Sequence, residues 1–415
     1  MNIAHLAPLS IGAFSIVTGI ALLNSTIAIR ADLEGFSSGA VGLMTTAYFV
    51  GYMLGVMTLA TTVGRTGHIR FYAACAAILT AAILTHGLSD SFWVWMILRF
   101  ISGISVLGMY LVFESWLNSV IPHQQRGGVF SLYVTLTLLA FAAGQLALLF
   151  GEPKTMKLFV IASILVVASI VPFSLTHLQE PERLERTGIS WLPFWRQAPL
   201  GLVSAVASGI VTSVFWGLGP LYFTRSGWDL KAVSFSMFSI IMGAATLQWI
   251  IGWLSDRYDR RRIIALVCIS SAALAVTLGV VVEKDWIVSS MITGFFYGSG
   301  AFSLYGLAVA HINDYVEDDK RLAAAEMALA AFGIGACIGP LIAGPLMELT
   351  GAVSFPLFCA VVLCATGMYS AYRITRRAPA PELERSTYYP MIRTSPGATS
   401  LDPRVTDADP ENKQE

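Results

Sequence analysis

The amino-acid sequence predicts an all-α polytopic membrane protein with twelve transmembrane helices in two pseudo-symmetric six-helix bundles. Of the 415 residues, 55% are hydrophobic and only 13% are charged, whereas soluble domains carry about 25% charged residues. Mean hydropathy is +0.68. Twelve apolar segments reach the length of about 20 residues that a helix needs to cross the hydrocarbon, and residues of the first six recur at a fixed offset in the last six.

Short polar connections separate the twelve segments. The start, MNIAHLAPLS, lacks the basic region of a cleavable signal peptide and continues into the first segment, so we expect that segment to remain as a helix. The predicted spans are 6–29, 39–62, 69–88, 91–118, 127–150, 156–175, 199–223, 232–254, 263–282, 286–312, 322–347 and 352–373.

Lysines and arginines orient the predicted bundle. With the N-terminus inside, the inner connections hold fifteen of them. The outer side holds six, namely Arg30, Lys154, Lys157, Arg225, Lys231 and Lys284. Short loops rich in these residues stay in the cytoplasm. We therefore expect both termini to be cytoplasmic.

A constant offset of 195 residues brings several special positions into register, which predicts two similar halves. The halves are 1–175 and 199–377, joined by a cytoplasmic central loop at 176–198. The tail, 378–415, is polar and proline-rich, so we expect it to be disordered and solvated, with a regulatory role as the other interpretation. The paired positions are Arg65 and Arg260, Phe100 and Phe295, Gly103 and Gly298, Tyr110 and Tyr305, Asn118 and Asn313, Arg126 and Arg321, and Gly144 and Gly339.

Composition and motifs argue against several classes. The formal net charge is zero, so no nucleic-acid partner is predicted. The five cysteines lie in apolar segments without metal-ligand spacing, and we expect buried side chains and no metal site. A Walker-type phosphate loop and a nucleophile elbow are both missing from the sequence. We therefore expect neither an enzyme nor an ATP-driven pump, and no cofactor.

The turn Gly252–Arg262 packs four arginines and two aspartates into eleven residues between two apolar segments. Charges in hydrocarbon cost several kcal/mol unless paired, so this turn must lie outside it. Its spelling resembles the loop signature of the major facilitator superfamily (MFS), roughly G-x-L-x-D-R-x-G-R-R. The resemblance implies the MFS fold and a cytoplasmic gate in which Asp256, Arg257 and Arg260 pair with neighbouring helix ends. The other interpretation is that the charges only anchor topology.

The corresponding turn of the first half has Thr61 at the family's aspartate position. We therefore expect an asymmetric gate, carried mainly by the second half. The remaining cytoplasmic charges that we assign to the gate are Arg65, Arg126, Asp314 and Arg321.

In the fourth segment, Arg99 followed by Gly103 resembles the R-x-x-x-G element of the family's fourth helix. Glu114 follows about 22 Å further along the helix. An ionisable group inside a membrane is a functional candidate by default. Arg99 either binds an anionic substrate or acts on a proton site, or is a buried arginine satisfied by polar neighbours. Glu114 either gains and loses a proton or, as its place near the interface favours, pairs with Arg126 or Arg65.

In MFS proteins the first, fourth, seventh and tenth helices line a central cavity. The resemblance therefore implies lining candidates that are aromatic or hydroxyl-rich, without a carboxylate near the centre. Such a lining suits a neutral or anionic organic solute, although each aromatic taken alone is explained by ordinary packing. The candidates are Asn24, Arg99, Tyr110, Ser208, Thr212, Trp216, Tyr297 and Tyr305, with Gln145 and Gln248 from adjoining helices.

Two further segments contribute candidates. His311, near the end of the tenth segment, titrates near neutral pH and is either a proton relay or an ordinary helix-end histidine. In the eleventh, Gly335 and Gly339 permit close helix packing, and Pro340 predicts a kink. Their spelling resembles the MFS antiporter motif, which belongs on the fifth helix. The fifth segment has no proline after Gly144, which disfavours a typical drug antiporter.

Within the superfamily the chain resembles a bacterial branch of inner-membrane permeases of undefined substrate. The resemblance lies in Glu114-Ser-Trp, Gly144-Gln145-Leu, Tyr305 to Asp314 and Gly333-Ile-Gly335. It implies a monomeric, proton-coupled secondary transporter of a small organic solute in the lipid bilayer, working by rocker-switch alternating access. The apolar and aromatic lining of the expected cavity gives a slight preference for efflux. Two alternatives stay open. One is an uptake symporter for a sugar-like or anionic solute, and the other is a transport-inactive receptor or assembly partner, whose signature would be a large extramembrane domain or a filled cavity.

Overall fold

The structure, a computed structural model, describes residues 6–121, 125–175, 195–317, 320–376 and 386–391. Within these ranges the chain forms twelve helices that are long and apolar enough to span a membrane, so the predicted fold class is confirmed. The helices are α1 Leu6–Leu33, α2 Ser38–Thr66, α3 His68–Leu88, α4 Phe92–Val120, α5 Arg126–Ala147, α6 Lys157–Ala168 continued by Ile170–Ser174, α7 Pro199–Arg225, α8 Leu230–Arg257, α9 Arg260–Glu283, α10 Ile287–Asn313, α11 Arg321–Thr350 and α12 Ser354–Arg376.

Because the helices alternate in direction, each end of the bundle collects alternate connections. We call the end where α1 begins and α12 ends the proximal face, and the end where α1 runs into α2 the distal face. Helices pack in the same pairs within each half: α1 with α5, α2 with α4 and α3 with α6, then α7 with α11, α8 with α10 and α9 with α12. The first and last six helices therefore share one fold.

The loops that enter α2 and α8 are built alike. Gly35 and Gly227, 192 positions apart, have positive φ angles of 81° and 88°, which glycine adopts without steric cost. Two residues later, the side chains of Ser37 and Asp229 accept a backbone N–H from the first turn of the following helix. Such a cap satisfies a donor that has no partner within the helix. In this part of the chain the repeat therefore has an offset of 192.

This register corrects one assignment made from the sequence. Arg65 and Arg257 both lie in the last turn of their helices, and the offset of 192 pairs them and pairs Gly64 with Asp256. The family's aspartate position in the first half is therefore Gly64 and not Thr61. The offset becomes 195 only after α9, which has 24 residues against 21 in α3.

Helices within each half touch backbone to backbone at glycine. A Cβ atom added to Gly103 of α4 would lie 2.0 Å from the carbonyl oxygen of Tyr48 in α2, and one added to Gly298 of α10 would lie 1.9 Å from that of Ile240 in α8. Small residues at helix interfaces in membranes permit this approach. These two equivalent contacts fix α2 on α4 and α8 on α10.

In the second half, the eleventh helix packs against α7 in the same way. A Cβ at Gly335 would lie 2.0 Å from the carbonyl oxygen of Val206, and one at Gly339 would lie 2.8 Å from that of Ile210. Pro340 follows immediately and lies inside a helix that continues to Thr350. The glycines therefore join α11 to its own half, while Pro340 faces the other half.

The two halves meet across α2 and α11, with further contacts of α1 and α2 with α7 and of α5 with α8. A Cβ on Gly42 would lie 2.4 Å from the carbonyl oxygen of Pro340, and the hydroxyl of Thr46 donates to the carbonyl oxygen of Cys337 at 3.1 Å. Gly42 and Thr46 belong to the first turns of α2, next to the distal face. The halves are therefore closed against one another on the distal side.

The prediction of a disordered tail is wrong for Ser386–Met391. Ser386, Tyr388 and Met391 are buried in an extended segment between the halves. The average composition of the tail predicted solvation, but the side chains of Tyr388, Tyr389 and Met391 in this short stretch pack against the apolar core. The rest of the tail and central-loop residues 176–194 lie outside the described residues.

We expect Gly103→Ala to destabilise the protein by about 1–3 kcal/mol, because the new methyl group overlaps a backbone oxygen that cannot move alone. Gly128→Ala is the matched control, since a Cβ there meets nothing within 4 Å. Thermal unfolding of both variants in the same detergent measures the difference. Equal melting temperatures for the two would contradict the role of close backbone packing.

Candidate functional site

A small cavity lies at the centre of the bundle, between the two halves. Its free volume is about 60 Å³, which is room for a few water molecules. Met391 of the tail contributes to its wall. The predicted candidates that line it are Asn24, Arg99, Tyr110, Ser208, Thr212, Trp216 and Tyr305.

Arg99 is the charged group of this cavity, with 4% of its surface exposed. Its Nη1 donates to Oδ1 of Asn24 at 2.8 Å, and its guanidinium carbon lies 4.4 Å from the ring centre of Tyr48. Among the described residues it forms no ion pair, and the described cavity wall contains no carboxylate. An amide oxygen and an aromatic face leave most of its donors and its charge uncompensated.

Aromatic side chains from both halves form much of the remaining wall. Phe141 of α5 and Trp216 of α7 have ring centres 4.5 Å apart across the junction of the halves. Phe302 packs edge-on against the neighbouring Phe215, and Tyr305 packs edge-on against Phe332 at 5.2 Å. Tyr48, Phe141 and Phe302 were not predicted. Tyr48 lies on α2 and Phe141 on α5, outside the four helices that the family resemblance assigned to the cavity.

Two predicted candidates lie on helix interfaces instead of the cavity wall. Gln145 is fully buried and accepts a hydrogen bond from Ser25 of α1 at 2.7 Å, so it joins α1 to α5. Gln248 of α8 is 1% exposed, and its amide nitrogen has no partner among the described residues. Sequence reasoning correctly predicted that both glutamines lie inside the protein, but it assigned them to the face of the helix that lines the cavity.

Two further pathway candidates, Tyr297 and His311, belong to α10, and of these Tyr297 was expected on the cavity wall whereas His311 was expected at the helix end. Tyr297 is buried beside Cys359 of α12, inside the second half. His311 is buried at the proximal end, where its ring packs against Tyr315 at 5.1 Å and lines a pocket with Arg261. Neither side chain reaches the central cavity in this conformation.

Glu114 is completely buried in α4. Its Oε1 accepts a hydrogen bond from the Tyr133 hydroxyl of α5 at 2.8 Å. The carboxyl group therefore lies inside the first half, between two of its helices. Arg65, one of its two predicted partners, is exposed at the end of α2, whereas Arg126 is buried at the start of α5.

A cluster of charges joins α8, α9 and α10 at the proximal face. Arg260 is 2% exposed, and its Nε lies 2.9 Å from Oδ2 of Asp314, while Nη2 lies 3.3 Å from Oδ1 of Asp256. Nη1 donates to Oγ of Ser255 at 3.0 Å. The carbonyl oxygen of Ser386 accepts a further hydrogen bond from Nη2. All the helices in this cluster belong to the second half, so it connects that half to the tail.

The remaining residues assigned to the gate lie elsewhere. The exposed Arg257 has its guanidinium 4.0 Å from the ring centre of Trp253, outside the buried cluster. Arg65 is exposed, Arg126 is buried, and Arg321 is half-buried at the start of α11. The described contacts place Asp256, Arg260 and Asp314 together and leave Arg257 apart.

A second pair stabilises the turn between α8 and α9. Asp259 lies 2.7 Å from Nη2 of Arg261 and also accepts the Arg261 backbone N–H. Partial burial opposes ionisation of Asp259, but the hydrogen bonds from Arg261 outweigh it and lower the pKa of the carboxyl group. The turn therefore keeps its ion pair at neutral pH.

Arg225, at the end of α7, joins the halves at the distal face, and sequence reasoning assigned it no role. Its Nε lies 2.8 Å from Asp32 of α1, and its Nη1 lies 3.4 Å from Glu348 of α11. Nη2 donates to the Phe36 carbonyl oxygen at 3.2 Å, and Nη1 also donates to the Ser38 hydroxyl. The one sequence feature that could have indicated this role is that Arg225 is among the six basic residues predicted on the outer side.

No cluster of three or more metal-binding side chains occurs within the described ranges. The site consists instead of a cavity between two bundles, the buried Arg99, which has no ion-pair partner in the described part of the chain, and charged contacts at the two faces. This combination defines a polytopic membrane transporter.

The sequence pattern of the Major Facilitator Superfamily matches residues 9–249 and 235–396. The chain therefore belongs to the major facilitator superfamily, as its turn signature predicted.

Curated relatives and solved structures agree with this assignment. The chain is 27% identical over 339 residues to the Uncharacterized MFS-type transporter YcaD of Escherichia fergusonii, covering 81% of this chain and 87% of the relative. It is 28% identical over 349 residues to the Uncharacterized MFS-type transporter Ent638_1421 of Enterobacter sp., with the same coverage.

Among solved structures, the nucleoside transporter NupG superposes with a TM-score of 0.69 at 13% identity, covering 90% of this chain and 99% of that one. A bacterial homolog to the human lysosomal transporter Spinster, in an inward-facing and occupied conformation, gives 0.71 at 14% identity, covering 93% and 99%. At such low identity these likenesses concern the fold.

We expect Arg225→Gln to loosen the distal face, because the neutral amide cannot hold two carboxylates of opposite halves. Spin labels at Leu33→Cys and Lys231→Cys, one in each half, report the distance between the halves by pulsed electron–electron double resonance. The variant should populate longer distances. Lys284→Gln, a distal cation stacked on Trp286 of its own half, is the control. An unchanged distance distribution in Arg225→Gln would show that the remaining contacts between α2 and α11 hold this face without the arginine.

Proposed function

We propose that the protein is a secondary active transporter that moves a small organic anion across the bacterial inner membrane by alternating access of its two halves. The observation that carries the choice of solute is Arg99, a buried guanidinium on the cavity wall without a carboxylate partner among the described residues. A buried charge is costly unless it is paired. A solute carboxylate would supply the missing partner, and aromatic walls would hold its apolar body.

Alternating access is supported by how the halves are built and joined. Glycine contacts make each half a compact unit, while contacts between the halves at the distal face depend on one arginine and on the α2–α11 packing. We propose that Asp256, Arg260 and Asp314 act as a gate when the halves approach at the proximal face. Because a single chain supplies both halves and the whole cavity wall, we propose that it works as a monomer.

The orientation of the protein in the membrane is proposed from the distribution of lysines and arginines between the two faces. Basic residues are concentrated in connections at the proximal face, and the positive-inside rule assigns such a face to the cytoplasm. We therefore propose that the described conformation, closed at the distal face, is the one that faces inward. The aromatic character of the cavity favours efflux as the direction.

Coupling to protons is proposed through Glu114. Its carboxyl group is buried and held by the Tyr133 hydroxyl, and the exchange of a proton at such a site would change its interactions with α5. An intramembrane carboxyl group of this kind is a usual element of proton relays.

One observation favours the second candidate, a transport-inactive receptor. The central cavity is small, at about 60 Å³, and is filled in part by the tail. A receptor would keep the tail in place, whereas a transporter must release it. Purified protein in proteoliposomes, challenged with a solute library under an imposed pH gradient, separates the two. The absence of any gradient-dependent flux would reject coupled transport.

Arg99→Gln should weaken binding of carboxylate solutes about 10- to 150-fold, because hydrogen bonds to charged groups contribute about 1.5–3 kcal/mol. A panel of aromatic carboxylates and their uncharged amides, scored by thermal stabilisation of the purified protein, measures this. Arg257→Gln, which removes an exposed arginine, is the matched control. Amides that bind as tightly as their carboxylates would overturn the proposed anion selectivity.

Glu114→Gln should abolish the dependence of flux on the pH gradient, because an amide cannot exchange the proton. Tyr133→Phe, which keeps the carboxyl group and removes its hydrogen bond, should retain coupling with a displaced pH profile. Flux measured over a series of external pH values distinguishes the two variants. If Glu114→Gln keeps both flux and its pH dependence, Glu114 is not the proton site.

A further inference from the structure

The tail segment Ser386–Met391 lies in the passage between the central cavity and the proximal face. We propose that this passage is a docking site for the chain's own tail, and that the docked segment is a plug that blocks entry to the cavity and keeps the two halves apart. Docking is independent of what the protein transports; only its consequence for flux rests on the proposed function.

Polar recognition of the tail is carried by the proximal charge cluster. The backbone N–H and the hydroxyl of Ser386 both donate to Oδ1 of Asp314 at 2.9 Å. The backbone N–H of Tyr388 donates to Oδ1 and Oδ2 of Asp256 at 2.9 and 3.1 Å. Because Asp256 and Asp314 share the single guanidinium of Arg260, their oxygens can accept further hydrogen bonds. The backbone N–H groups and the hydroxyl of the tail donate these hydrogen bonds, as the backbone of a bound peptide can.

Shape recognition is carried by two glycines that face the Tyr388 ring. A Cβ on Gly252 of α8 would lie 2.0 Å from Cδ1 of Tyr388, and one on Gly306 of α10 would lie 2.9 Å from its hydroxyl oxygen. The three nearest atoms to each of these positions all belong to Tyr388. Unlike the glycines at helix crossings, these two make room for an aromatic ring of the tail.

The segment touches both halves of the protein. Tyr388 contacts α8 and α10 of the second half, whereas a Cβ on Gly127 of α5, in the first half, would lie 2.9 Å from the Tyr389 ring. Met391 reaches the cavity wall that Arg99 also lines, and is 3% exposed. If the halves approached one another at the proximal face, they would meet this segment. The tail must therefore leave before that face closes.

The chain between α12 and the docked segment is long enough for such exchange. Nine residues, 377–385, connect Arg376 to Ser386, and an extended chain spans up to about 3.3–3.6 Å per residue. An extended connection of this length gives Ser386 a reach of about 30 Å from the end of α12.

Thiol labelling of a cavity residue tests the proposal without any transported solute. Ser208 lines the cavity, and its hydroxyl has no hydrogen-bond partner among the described residues, so Ser208→Cys is a nearly isosteric probe. A charged maleimide is added to the purified full-length protein, and labelling of the native cysteines is subtracted. Adding Ser386→Asp, which brings a carboxylate against Asp314, should raise the labelling rate at least about tenfold. Tyr388→Ala should act in the same direction.

Ser400→Asp, the same substitution later in the tail, is the matched control and should leave the rate unchanged. An unchanged gel-filtration profile and unchanged labelling of native cysteines show that each variant is folded. Equal rates for the parent, Ser386→Asp and Tyr388→Ala would overturn the plug. If labelling rises but no solute is ever transported, docking stands and the transport proposal fails. Flux together with unchanged labelling would overturn docking and leave the transport proposal standing.

Discussion

In hydrocarbon, apolar side chains gain nothing by leaving lipid, so helices associate through close packing and polar contacts. In this protein the close packing occurs where one backbone lies directly against another, as at Gly103 on Tyr48 and Gly298 on Ile240. Because these contacts involve carbonyl oxygens, they tolerate neither a methyl group nor a change of helix angle. These contacts therefore hold the helices of each half together as one unit, which supports the proposed movement of one half against the other.

Two buried arginines show different solutions to one electrostatic problem. Arg260 is surrounded by two carboxylates, a serine hydroxyl and a tail carbonyl, so its charge is compensated within the protein. Among the described residues, the partners of Arg99 are an amide oxygen and an aromatic face. The first arrangement compensates the charge inside the protein, whereas the second is the basis for proposing that Arg99 binds an anionic solute. Two arginines that are equally buried therefore differ in their partners, and the partners carry the functional argument.

Much of the fold could be predicted from the sequence, because twelve apolar stretches of membrane length and one charged turn are compatible with few folds besides a helical membrane bundle. Seven cavity residues were also predicted, since they follow from which helices face the centre. Gln145 and Tyr297 were misplaced because α5 and α10 bury side chains against neighbouring helices of their own half as well as toward the cavity, and polarity alone does not say which buried face meets the cavity. Arg225 was missed because its partners come from both ends of the chain. The tail was misjudged because composition averages over a long stretch, whereas the described segment Ser386–Met391 docks through a few particular side chains.

The nine-residue connection between α12 and Ser386 affects the apparent affinity of the cavity for a solute. A ligand held on a short tether is present at an effective concentration in the millimolar range, whatever the concentration of the protein. In the proposed plug, a solute entering from the proximal face competes with this intramolecular segment. Its apparent dissociation constant for the full-length chain is then that of the open cavity divided by the fraction of time that the tail is undocked.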